Sequence, residues 1–453
     1  MPHPNPSIDP VSNPSNGNSR RTFLATTAAG FGYWLAGTAP RVCHGTTRAD
    51  TLRIAVIGLG PQGNGHLKRY LALPNVEIAY LCDVDQGRLG AASKVADKAK
   101  AVTDLRRVLD DPSVDAVSIA TPDHWHAPAA ILACAAGKHV YVEKPCSHNF
   151  QEGKWLVEAA RKHGRVVQHG TQTRSSQSTA NAVQLLREGI IGDVLVAKAW
   201  NIQRRNNIGK EQPSDPPAGF DYDLWLGPAP HVPFQKNRHH YNWHWWYDFG
   251  TGDMGNDGVH ELDYARWGLG VTGFPNRIFS IGGKFYFDDD QQFPDTQMAV
   301  FEYEGTGKFG SKRQLIFEMR LWSKNYPFNA DSGVEFYGTQ GRMLLSKRGK
   351  LEIYGDDNKS IPVPKPKNPV QLVTESHQED FLNCIRTGGV PQADIELGLH
   401  SAALCHFGNM ATRLGRQLNF NTMLQKIDND VEANQLLGRT YRENHWSVPK
   451  STT

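Results

Sequence analysis

The sequence contains few cysteines, and their positions argue against two classes of protein. Six cysteines occur among 453 residues, at positions 43, 82, 134, 146, 384 and 405. They form no C-x-x-C pair, and several lie in apolar, periodic stretches. A disulfide scaffold or a cysteine-bound zinc site would need regular spacing. Buried free thiols are therefore predicted.

The sequence also lacks an excess of charge and an internal repeat. Its 49 basic and 46 acidic side chains are scattered along the chain and give a formal net charge of +3. This distribution gives no sign of a nucleic-acid partner. A chain of this length is too long for one hydrophobic core, so two domains, or three, are expected.

The N-terminal region has only a short, glycine-containing apolar stretch. Residues 1–18 are rich in Pro, Asn and Ser and are expected to be disordered. Arg20 and Arg21 then precede an uncharged, mildly apolar stretch that ends near Ala39 and resembles a twin-arginine export signal. A chance pair of arginines is the alternative. We expect export to the periplasm, with cleavage between Ala39 and Ala49 and no stable membrane span, or an anchored protein if the signal is uncleaved.

The stretch TLRIAVIGLGPQGNGHL, positions 51–67, organises the rest of the chain. An apolar run passes into Gly58, Gly60 and Gly63, and then into a helix from about Gly65. This is G-x-G-x-x-G in the context that a dinucleotide site requires, where phosphates bind at the helix N-terminus. A glycine turn in an ordinary βα unit is the alternative. The predicted cofactor contacts in this loop are Gly58, Gly60, Pro61, Gln62 and Gly63.

A second strand-like run, VEIAYLCDVD at 76–85, carries Asp83 near its end. Asp83 lies about 20 residues beyond the glycine loop, which is the spacing of the acidic residue that accepts hydrogen bonds from the adenosine ribose. A carboxylate at that position repels a 2′-phosphate. The pattern therefore favours NAD over NADP.

Strand and helix patterns alternate from Thr51 to about Gln168, which is typical of a doubly wound parallel sheet. Ligands bind at the carboxyl ends of the strands in such a sheet. Several side chains follow strands and should therefore converge on one crevice. They are Asp83, Thr121, Pro122, Glu143, Lys144, Pro145 and Gln168.

These features occur in one order: the glycine loop, Asp83, TPDHWH at 121–126, Glu-Lys-Pro at 143–145, and a glycine-rich segment that ends in His260. In that order they resemble the Gfo/Idh/MocA oxidoreductase family. The similarity extends from about Thr51 to the final helices. It implies an α/β protein, with an N-terminal Rossmann domain and a C-terminal α+β domain that contains a large, mostly antiparallel sheet. The outer face of that sheet commonly forms the oligomer interface, so a homo-oligomer is expected.

The later sequence is consistent with that second domain. Strand-like runs follow one another from residue 192 to 355 without intervening helices, which favours antiparallel pairing. Helical periodicity returns at 376–388 and 396–415. The predicted division is a disordered N-terminus and signal at 1–49, a Rossmann domain at 50–172, an α+β substrate and oligomerisation domain at 173–375, and C-terminal helices packing back on the first domain at 376–453.

The resemblance places Lys144 and His260 in the active site. An ammonium at Lys144 can stabilise negative charge on the substrate oxygen during hydride transfer. An imidazole at His260 can take the hydroxyl proton and return it. The competing interpretations are a surface lysine at a strand end and a structural histidine at a helix start.

One position departs from the family pattern. The family usually has Asp four residues before the histidine, where this chain has Asn256, followed by Asp257. Asn cannot carry a proton in the same way. Either Asp257 replaces the missing carboxylate, or Asn256 only orients the substrate. Asp253 and Asp263 are further carboxylates nearby, and in a continuous helix Asp257 and Asp263 would each lie one turn from His260.

The resemblance also places the segment 121–126 against the nicotinamide ribose. Helix capping by Asp123 is the alternative interpretation. The cofactor contacts predicted outside the glycine loop are Asp83, Thr121, Pro122, His126, Glu143 and Lys144.

Histidines and aromatic residues cluster before the glycine-rich segment. His239, His240 and His244 have no matching cysteine or carboxylate spacing, so no metal is predicted. Aromatic side chains around them can stack on a sugar ring, although core packing is the alternative. These side chains are Tyr241, Trp243, Trp245, Trp246 and Tyr247. Arg174 is a further candidate for the crevice.

The sequence thus predicts an exported, NAD-dependent oxidoreductase that transfers hydride to or from a sugar, polyol or related carbohydrate. Free nicotinamide is scarce outside the cytoplasm, so a tightly bound cofactor is expected. One alternative is a glycosidase that oxidises a ring hydroxyl transiently. Another is a non-catalytic carbohydrate-binding module, against which Lys144, His260 and the intact glycine loop argue.

Overall fold

The computed structural model describes residues 51–449. The disorder, export signal and cleavage site predicted for residues 1–49 lie outside the described residues. The five cysteines in the described region are free and buried, as predicted, and Cys43 lies outside it. Among the described helices, none is long and apolar enough to cross a membrane.

The first half of the described chain forms a six-stranded sheet in the order β3-β2-β1-β4-β5-β6. Neighbouring strands pair in parallel throughout. The strands are apolar and mostly buried, as expected when helices cover both faces. Its elements are β1 (Leu52–Ile57), α1 (Pro61–Leu71), β2 (Val76–Cys82), α2 (Gln86–Ser93), β3 (Lys100–Val102), α3 (Arg106–Leu109), β4 (Ala116–Ile119), α4 (Asp123–Ala135), β5 (His139–Val142), α5 (Phe150–Lys162) and β6 (Val167–His169).

This strand order confirms the predicted doubly wound sheet and fixes where a ligand can bind. The order reverses between β1 and β4, so the loops that follow these two strands diverge and leave a crevice at their carboxyl ends. Helix α1 begins at Pro61, whereas the sequence pattern predicted a start near Gly65. Proline suits the first helical position, because its missing N–H would have no partner in the helix and its φ is already helical.

The second sheet has ten strands in the order β14-β13-β12-β11-β7-β10-β9-β8-β15-β16. It is mostly antiparallel, which confirms the predicted second domain. The elements after β6 are α6 (Gln177–Arg187), β7 (Val194–Asn201), α7 (Tyr222–Leu226), α8 (Gly252–Asn256), α9 (Gly258–Leu269), β8 (Arg277–Gly283), β9 (Thr296–Tyr303), β10 (Arg313–Arg320), β11 (Ser332–Gly338), β12 (Gly341–Leu345), β13 (Leu351–Gly355), β14 (Ser360–Ile361), α10 (His377–Thr387), α11 (Ile395–Leu414), β15 (Leu418–Asn421), β16 (Lys426–Ile427) and α12 (Val431–Gln435).

Strand β7 departs from the antiparallel pattern. It lies between β10 and β11 and pairs in parallel with β10. The long connection from β7 to β8, which includes α8 and α9, allows this placement, because parallel partners need a crossover rather than a hairpin. The expectation that strands follow one another from 192 to 355 without helices is therefore wrong between β7 and β8, where α7, α8 and α9 intervene.

The C-terminal region joins the two sheets. Helix α11 packs on α5 and β6 of the first domain and on α9 and β8 of the second. Phe407 of α11 lies 5.2 Å from Phe150 of α5 and 4.6 Å from Phe420 of β15, measured between ring centroids. The helices predicted at 376–453 are therefore accompanied by two strands, β15 and β16, which extend the second sheet. All described residues belong to one compact unit.

Candidate active site

The glycine loop brings backbone very close to backbone. Gly58 has φ +86°, and a Cβ there would lie 2.5 Å from the carbonyl oxygen of Ala120 in the loop after β4. A Cβ at Gly63 would lie 1.7 Å from the carbonyl oxygen of Gly58. Both positions therefore require glycine, one for the turn and one for the packing of α1 on β1.

The N-terminus of α1 faces the crevice without a cap. Gly60 is its N-cap, and no described side chain caps the first turn. Unpaired amides at a helix N-terminus attract anions, and the helix dipole adds to this attraction. The loop thus fits a pyrophosphate.

Asp83 is held in place by two backbone amides, one from the loop after β1 and one from its own loop after β2. Its Oδ2 accepts a hydrogen bond from the amide of Leu59 at 2.6 Å, and its Oδ1 accepts one from the amide of Asp85 at 2.9 Å. Burial raises the pKa of Asp83, and these hydrogen bonds oppose that rise. The carboxylate is therefore fixed at the rim, where it can accept ribose hydroxyls.

One cavity of about 390 Å³ extends from the glycine loop to the second domain. Its size is within the usual range for small-molecule sites. Eleven of the predicted site residues line it: Gly58, Gly60, Pro61, Gln62, Asp83, Thr121, Pro122, His126, Glu143, Lys144 and Asn256. Gly63 lies beneath it in the contact between α1 and β1, and Asp257 and His260 are not among the lining residues in the described part of the chain.

Glu143 ties the glycine loop to the end of β5. Its Oε1 accepts hydrogen bonds from Gln62 at 2.7 Å and from Gln172 at 3.0 Å, and lies 3.0 Å from Nε2 of His66. Burial acts to raise the pKa of Glu143, yet the contact with His66 and the neighbouring charge of Lys144 hold it well below the ordinary value. An ionised Glu143 therefore anchors Gln62 beside Lys144.

Lys144 spans the junction between the two domains. Its Nζ donates a hydrogen bond to the backbone oxygen of Asn256 at the end of α8 and lies 3.5 Å from the Asn256 side-chain oxygen. The ammonium and the amide therefore stand side by side in the cavity. A substrate oxygen placed there would meet a cation and a neutral hydrogen-bonding group.

A buried carboxylate lies directly behind Asn256. The Asn256 amide nitrogen donates to Oδ1 of Asp253 at 2.9 Å, and it lies 3.4 Å from the hydroxyl of Tyr241. Burial raises the pKa of Asp253, while the Arg205 guanidinium, 3.1 Å away, opposes the rise. Asn256 therefore separates Asp253 from Lys144.

Asp257 belongs to a network of charges outside the cavity lining. Arg205 pairs with it, and Nζ of Lys347 lies 4.0 Å from Asp257 and 3.1 Å from Glu261. Burial alone would raise the pKa of Asp257, but Lys144, Arg205 and Lys347 hold it below the ordinary value. The carboxylate is thus balanced by cations, and it remains only a candidate to replace the missing acid.

His260 lies in the first turn of α9. Its backbone N–H donates to the carbonyl of Asp257 at 3.0 Å, and its Nδ1 is buried with no hydrogen-bond partner among the described residues. Burial, together with the nearby cations Lys347 and Lys144, lowers the pKa of His260 to about 3. The imidazole is therefore neutral near pH 7 and a weaker base than an exposed histidine.

Asp263 and Arg174 form a separate, structural pair. Their closest atoms are 2.8 Å apart, both side chains are buried, and Ser401 donates to Asp263 at 2.6 Å. The helix is interrupted at Asp257, between α8 and α9. Neither Asp263 nor Arg174 lines the cavity within the described region. The suggestion that Asp263 serves His260, or Arg174 the crevice, has no support in this geometry.

The segment after β4 is fixed by His126. Its Nδ1 lies 2.6 Å from the carbonyl oxygen of Pro145, and its Nε2 lies 2.8 Å from that of Thr121. The Thr121 hydroxyl is buried and finds no partner among the described residues, which fits a polar ligand in the cavity. Asp123 accepts from Thr251 at 2.6 Å and makes no capping bond to α4, so the capping interpretation is wrong.

The aromatic cluster divides between the cavity and the core. Tyr241 and Trp243 line the cavity, beside His240 and His244. Trp243 also belongs to the hydrophobic core, together with Trp245 and Trp246, and Tyr247 packs against Phe293. A sugar platform in this geometry would therefore consist of Tyr241 and Trp243.

The three histidines do not form one group. His239 and His240 lie next to Asp85, with potential ligand atoms within 4.8 Å of one another. The sequence spacing did not predict this carboxylate. His240 is 2.9 Å from Asp85, and nearby Arg88 lowers the pKa of both histidines beyond the effect of burial. The positive charge of Arg88 repels a metal ion and therefore disfavours metal binding between these side chains.

Three residues around the site were not predicted from the sequence: Arg205, Lys347 and Trp446. Arg205 and Lys347 balance buried carboxylates, and Trp446 lines the cavity from the C-terminus. None lies in a local motif. The sequence did contain one indication of cationic partners. The segment 250–267 has several acidic residues at a helix start that should be buried, and buried carboxylates require cations nearby.

Two family descriptions match most of the chain. "Oxidoreductase family, NAD-binding Rossmann fold" matches residues 52–171, and "Oxidoreductase family, C-terminal alpha/beta domain" matches residues 194–289 and 344–448.

Individual relatives and a solved structure agree with these matches. A glycosyl hydrolase family 109 protein of Saccharopolyspora erythraea is 31% identical over 40% of this chain and 45% of its own length. The scyllo-inositol 2-dehydrogenase (NAD(+)) of Bacillus subtilis is 25% identical over 79% of this chain and 94% of its own. A levoglucosan dehydrogenase structure in complex with NADH superposes with a TM-score of 0.61 at 19% identity, over 82% of this chain and 99% of that one.

The chain spans about half the length, or less, of several curated relatives that it matches. The chain belongs to the Gfo/Idh/MocA family of oxidoreductases.

Proposed function

We propose that this protein is an NAD-dependent oxidoreductase that transfers hydride to or from a sugar, polyol or related carbohydrate. The observation that carries the proposal is the cavity that joins the glycine loop and Asp83 at one end to Lys144 and Asn256 at the other. Relatives named as levoglucosan and inositol dehydrogenases support the substrate class.

The residues of the first domain fit NAD. The uncapped α1 N-terminus would hold the pyrophosphate, Asp83 the adenosine ribose, and the unpaired hydroxyl of Thr121 a polar group of the nicotinamide half. Bound NAD supplies a carbon that accepts or donates hydride. The Asp83 carboxylate disfavours the 2′-phosphate of NADP.

Lys144 and His260 have separate roles at the substrate hydroxyl: one stabilises charge on the oxygen, and the other takes the proton. The Lys144 Nζ, held by Asn256, donates a hydrogen bond to that oxygen and stabilises its developing charge. His260 is assigned the hydroxyl proton through Nε2, because its Nδ1 is enclosed; it lies outside the described lining residues, so this role rests on the family position of His260 rather than on a contact in the cavity. Asn256 orients the substrate, and Asp257 keeps the surrounding cations balanced.

The first test is to identify the nucleotide that purified, folded protein releases on denaturation, by mass spectrometry. Stoichiometric NAD is expected. Sugars and polyols are then added to the intact protein while the fluorescence of reduced nicotinamide is followed. A protein that carries no nucleotide and binds no added NADH would overturn the proposal.

A glycosidase is the second candidate, favoured by the match to a glycosyl hydrolase family 109 protein. Such an enzyme would release free sugar from a glycoside without a net change in the cofactor. Product analysis separates the two reactions, because a dehydrogenase leaves one reduced cofactor for each oxidised sugar.

We further propose a homo-oligomer that forms through the second sheet. Helices α9 and α11 pack on one face of this sheet, and the opposite face exposes apolar side chains. Ile281 is 74% exposed and pairs across the strands with Met298, which is 44% exposed. Contiguous apolar surface of this kind is typical of interfaces. Light scattering should show an oligomer that Ile281→Asp weakens, and a monomeric wild-type protein would contradict this.

The proposal of twin-arginine export to the periplasm rests on the sequence around Arg20 and Arg21. Replacement of both by lysine should retain the protein in the cytoplasm. Unchanged distribution on cell fractionation would remove the assignment.

A further inference from the structure

The C-terminal tail, residues 436–449, is held on the first domain by a buried ion pair. Nε of Arg439 lies 2.7 Å from Oε1 of Glu152 in α5, and both side chains are almost fully buried. Another Arg439 nitrogen donates to the carbonyl of His124 in α4 at 2.8 Å. The hydroxyl of Tyr441 donates to the same Glu152 oxygen at 2.9 Å. Such a pair is costly to break, so the tail has a fixed course.

The tail then contacts the second domain. The backbone N–H of Arg442 donates to the carbonyl of Pro228 at 2.9 Å, and its guanidinium lies 2.5 Å from Asp223 at the start of α7. The tail therefore crosses the junction of the two domains.

Trp446 follows these anchors and lines the cavity. Its ring lies 5.7 Å from that of Trp125, and the Arg106 guanidinium lies 4.5 Å above it. Leu105, next to Arg106, also lines the cavity and follows strand β3. Strand β2 pairs with β3, and Asp83, which follows β2, lines the same cavity. Trp446 is thus at the adenosine end of the site.

We propose that Trp446 completes the adenine-binding pocket and that the anchored tail retains the dinucleotide in the protein. This inference rests on the proposed use of NAD. An aromatic face stacks on a nucleobase without regard to its identity, and stacked bases lose roughly tenfold to a hundredfold in affinity when the aromatic is replaced by alanine. A tail held by a buried ion pair moves aside rarely, so the nucleotide leaves slowly.

The test measures nucleotide release rather than turnover. Full-length Trp446→Ala, Trp446→Phe and wild-type protein are loaded with NADH, and dissociation is followed by fluorescence after an excess of NAD is added. Alanine is expected to release NADH roughly tenfold to a hundredfold faster, and phenylalanine to restore most of the retention. Trp155→Ala is the matched control, because Trp155 packs against the same apolar cluster and is not among the described residues that line the cavity.

A second measurement separates stacking from a general loss of structure. The affinities for ADP-ribose and for nicotinamide mononucleotide are compared by calorimetry. Trp446→Ala should weaken ADP-ribose binding and leave nicotinamide mononucleotide unchanged. Equal release from all proteins, or equal weakening of both ligands, would overturn the inference. A wild-type protein that binds no NADH would instead overturn the proposed function.

Discussion

The two ends of the cavity are built by different means. At the cofactor end, the contacts come mainly from backbone positioned within short stretches, namely the glycine loop and the end of β2, where Asp83 is fixed by two amides. At the substrate end, side chains far apart in the sequence meet, and Arg205 approaches Asp253 and Asp257 from outside their helices. One end depends on close backbone approach, and the other on a balance of buried charge.

This difference predicts how each end fails. At the cofactor end, adding or removing a methylene group disturbs the close packing of the backbone. At the substrate end, removing one charged side chain leaves its buried partner with an uncompensated charge. The following substitutions test the distinction, beginning with the largest expected effect.

Lys144→Met should remove chemistry and leave the cofactor end intact. The ammonium is the cation nearest the Asn256 side chain in the cavity, and loss of a positioned donor of this kind costs roughly 10²- to 10⁴-fold in rate. Turnover of a sugar and retention of NADH are measured together. Lys154→Met, a partly exposed lysine in α5 that does not line the cavity in the described part of the chain, is the control. Turnover that survives in Lys144→Met would contradict the assignment.

Arg205→Met should destabilise the substrate end strongly. Asp253 would remain fully buried without its cation, which costs about 3–5 kcal/mol. Denaturant unfolding measures the loss, and Arg204→Met, its exposed neighbour, should have little effect. Adding Asp253→Asn to Arg205→Met should recover part of the stability, because it removes the unpaired charge. Equal stability of the Arg204 and Arg205 variants would show that the charge balance is unimportant.

The contrast between the two ends also explains what the sequence could predict. Strand-like runs and the carboxyl-end rule were enough to bring Asp83, Glu143 and Lys144 to one crevice, because each follows a strand of the same parallel sheet. The position of β7 beside β10, and of β15 in the second sheet, depends on long-range packing that local patterns do not encode. Arg205 was missed for the same reason. It lies in an irregular segment, 48 residues before Asp253.

Gly63→Ala should disturb the cofactor end alone. The added methyl group would lie 1.7 Å from the Gly58 carbonyl, so α1 must move away from β1, at a cost of about 1–3 kcal/mol and with weaker NADH binding. Gly65→Ala in the same helix meets only the flexible end of Arg69, at 3.4 Å, and should be neutral or stabilising. Calorimetric titration with NADH measures both. Similar affinities would contradict the steric argument.

Acidification should destabilise the folded protein as a whole through its buried histidines. Burial lowers the pKa of His124, His169, His244 and His406 to about 3. Between pH 6.5 and about 4 the unfolded chain binds protons that the folded chain does not, so stability falls as pH falls. At one pH unit below 6.5, each of these histidines lowers the free energy of unfolding by about 1.4 kcal/mol. Thermal unfolding from pH 7 to pH 5 measures the slope, and a flat or rising Tm on acidification would contradict neutral burial.

Asn256→Asp should have the smallest effect and tests why this chain departs from its family. The structure offers a reason: Asp253 already supplies a carboxylate 2.9 Å from the Asn256 amide, and the amide donates to it. An aspartate at 256 would lose that hydrogen bond and add a second negative charge, so its own pKa should rise. Stability should then fall by about 1 kcal/mol at pH 7, which corresponds to a pKa raised by about 0.7 unit, and the deficit should shrink as pH falls from about 5 toward 4, because the raised pKa favours the protonated form there.

Asn206→Asp, on the exposed part of the same connection as Arg205, controls for the added charge and should show no such pH dependence. If Asn256→Asp instead kept its stability and raised turnover, the nearby Lys144 would be stabilising the new carboxylate more than Asp253 repels it. The substrate end would then tolerate the usual family acid.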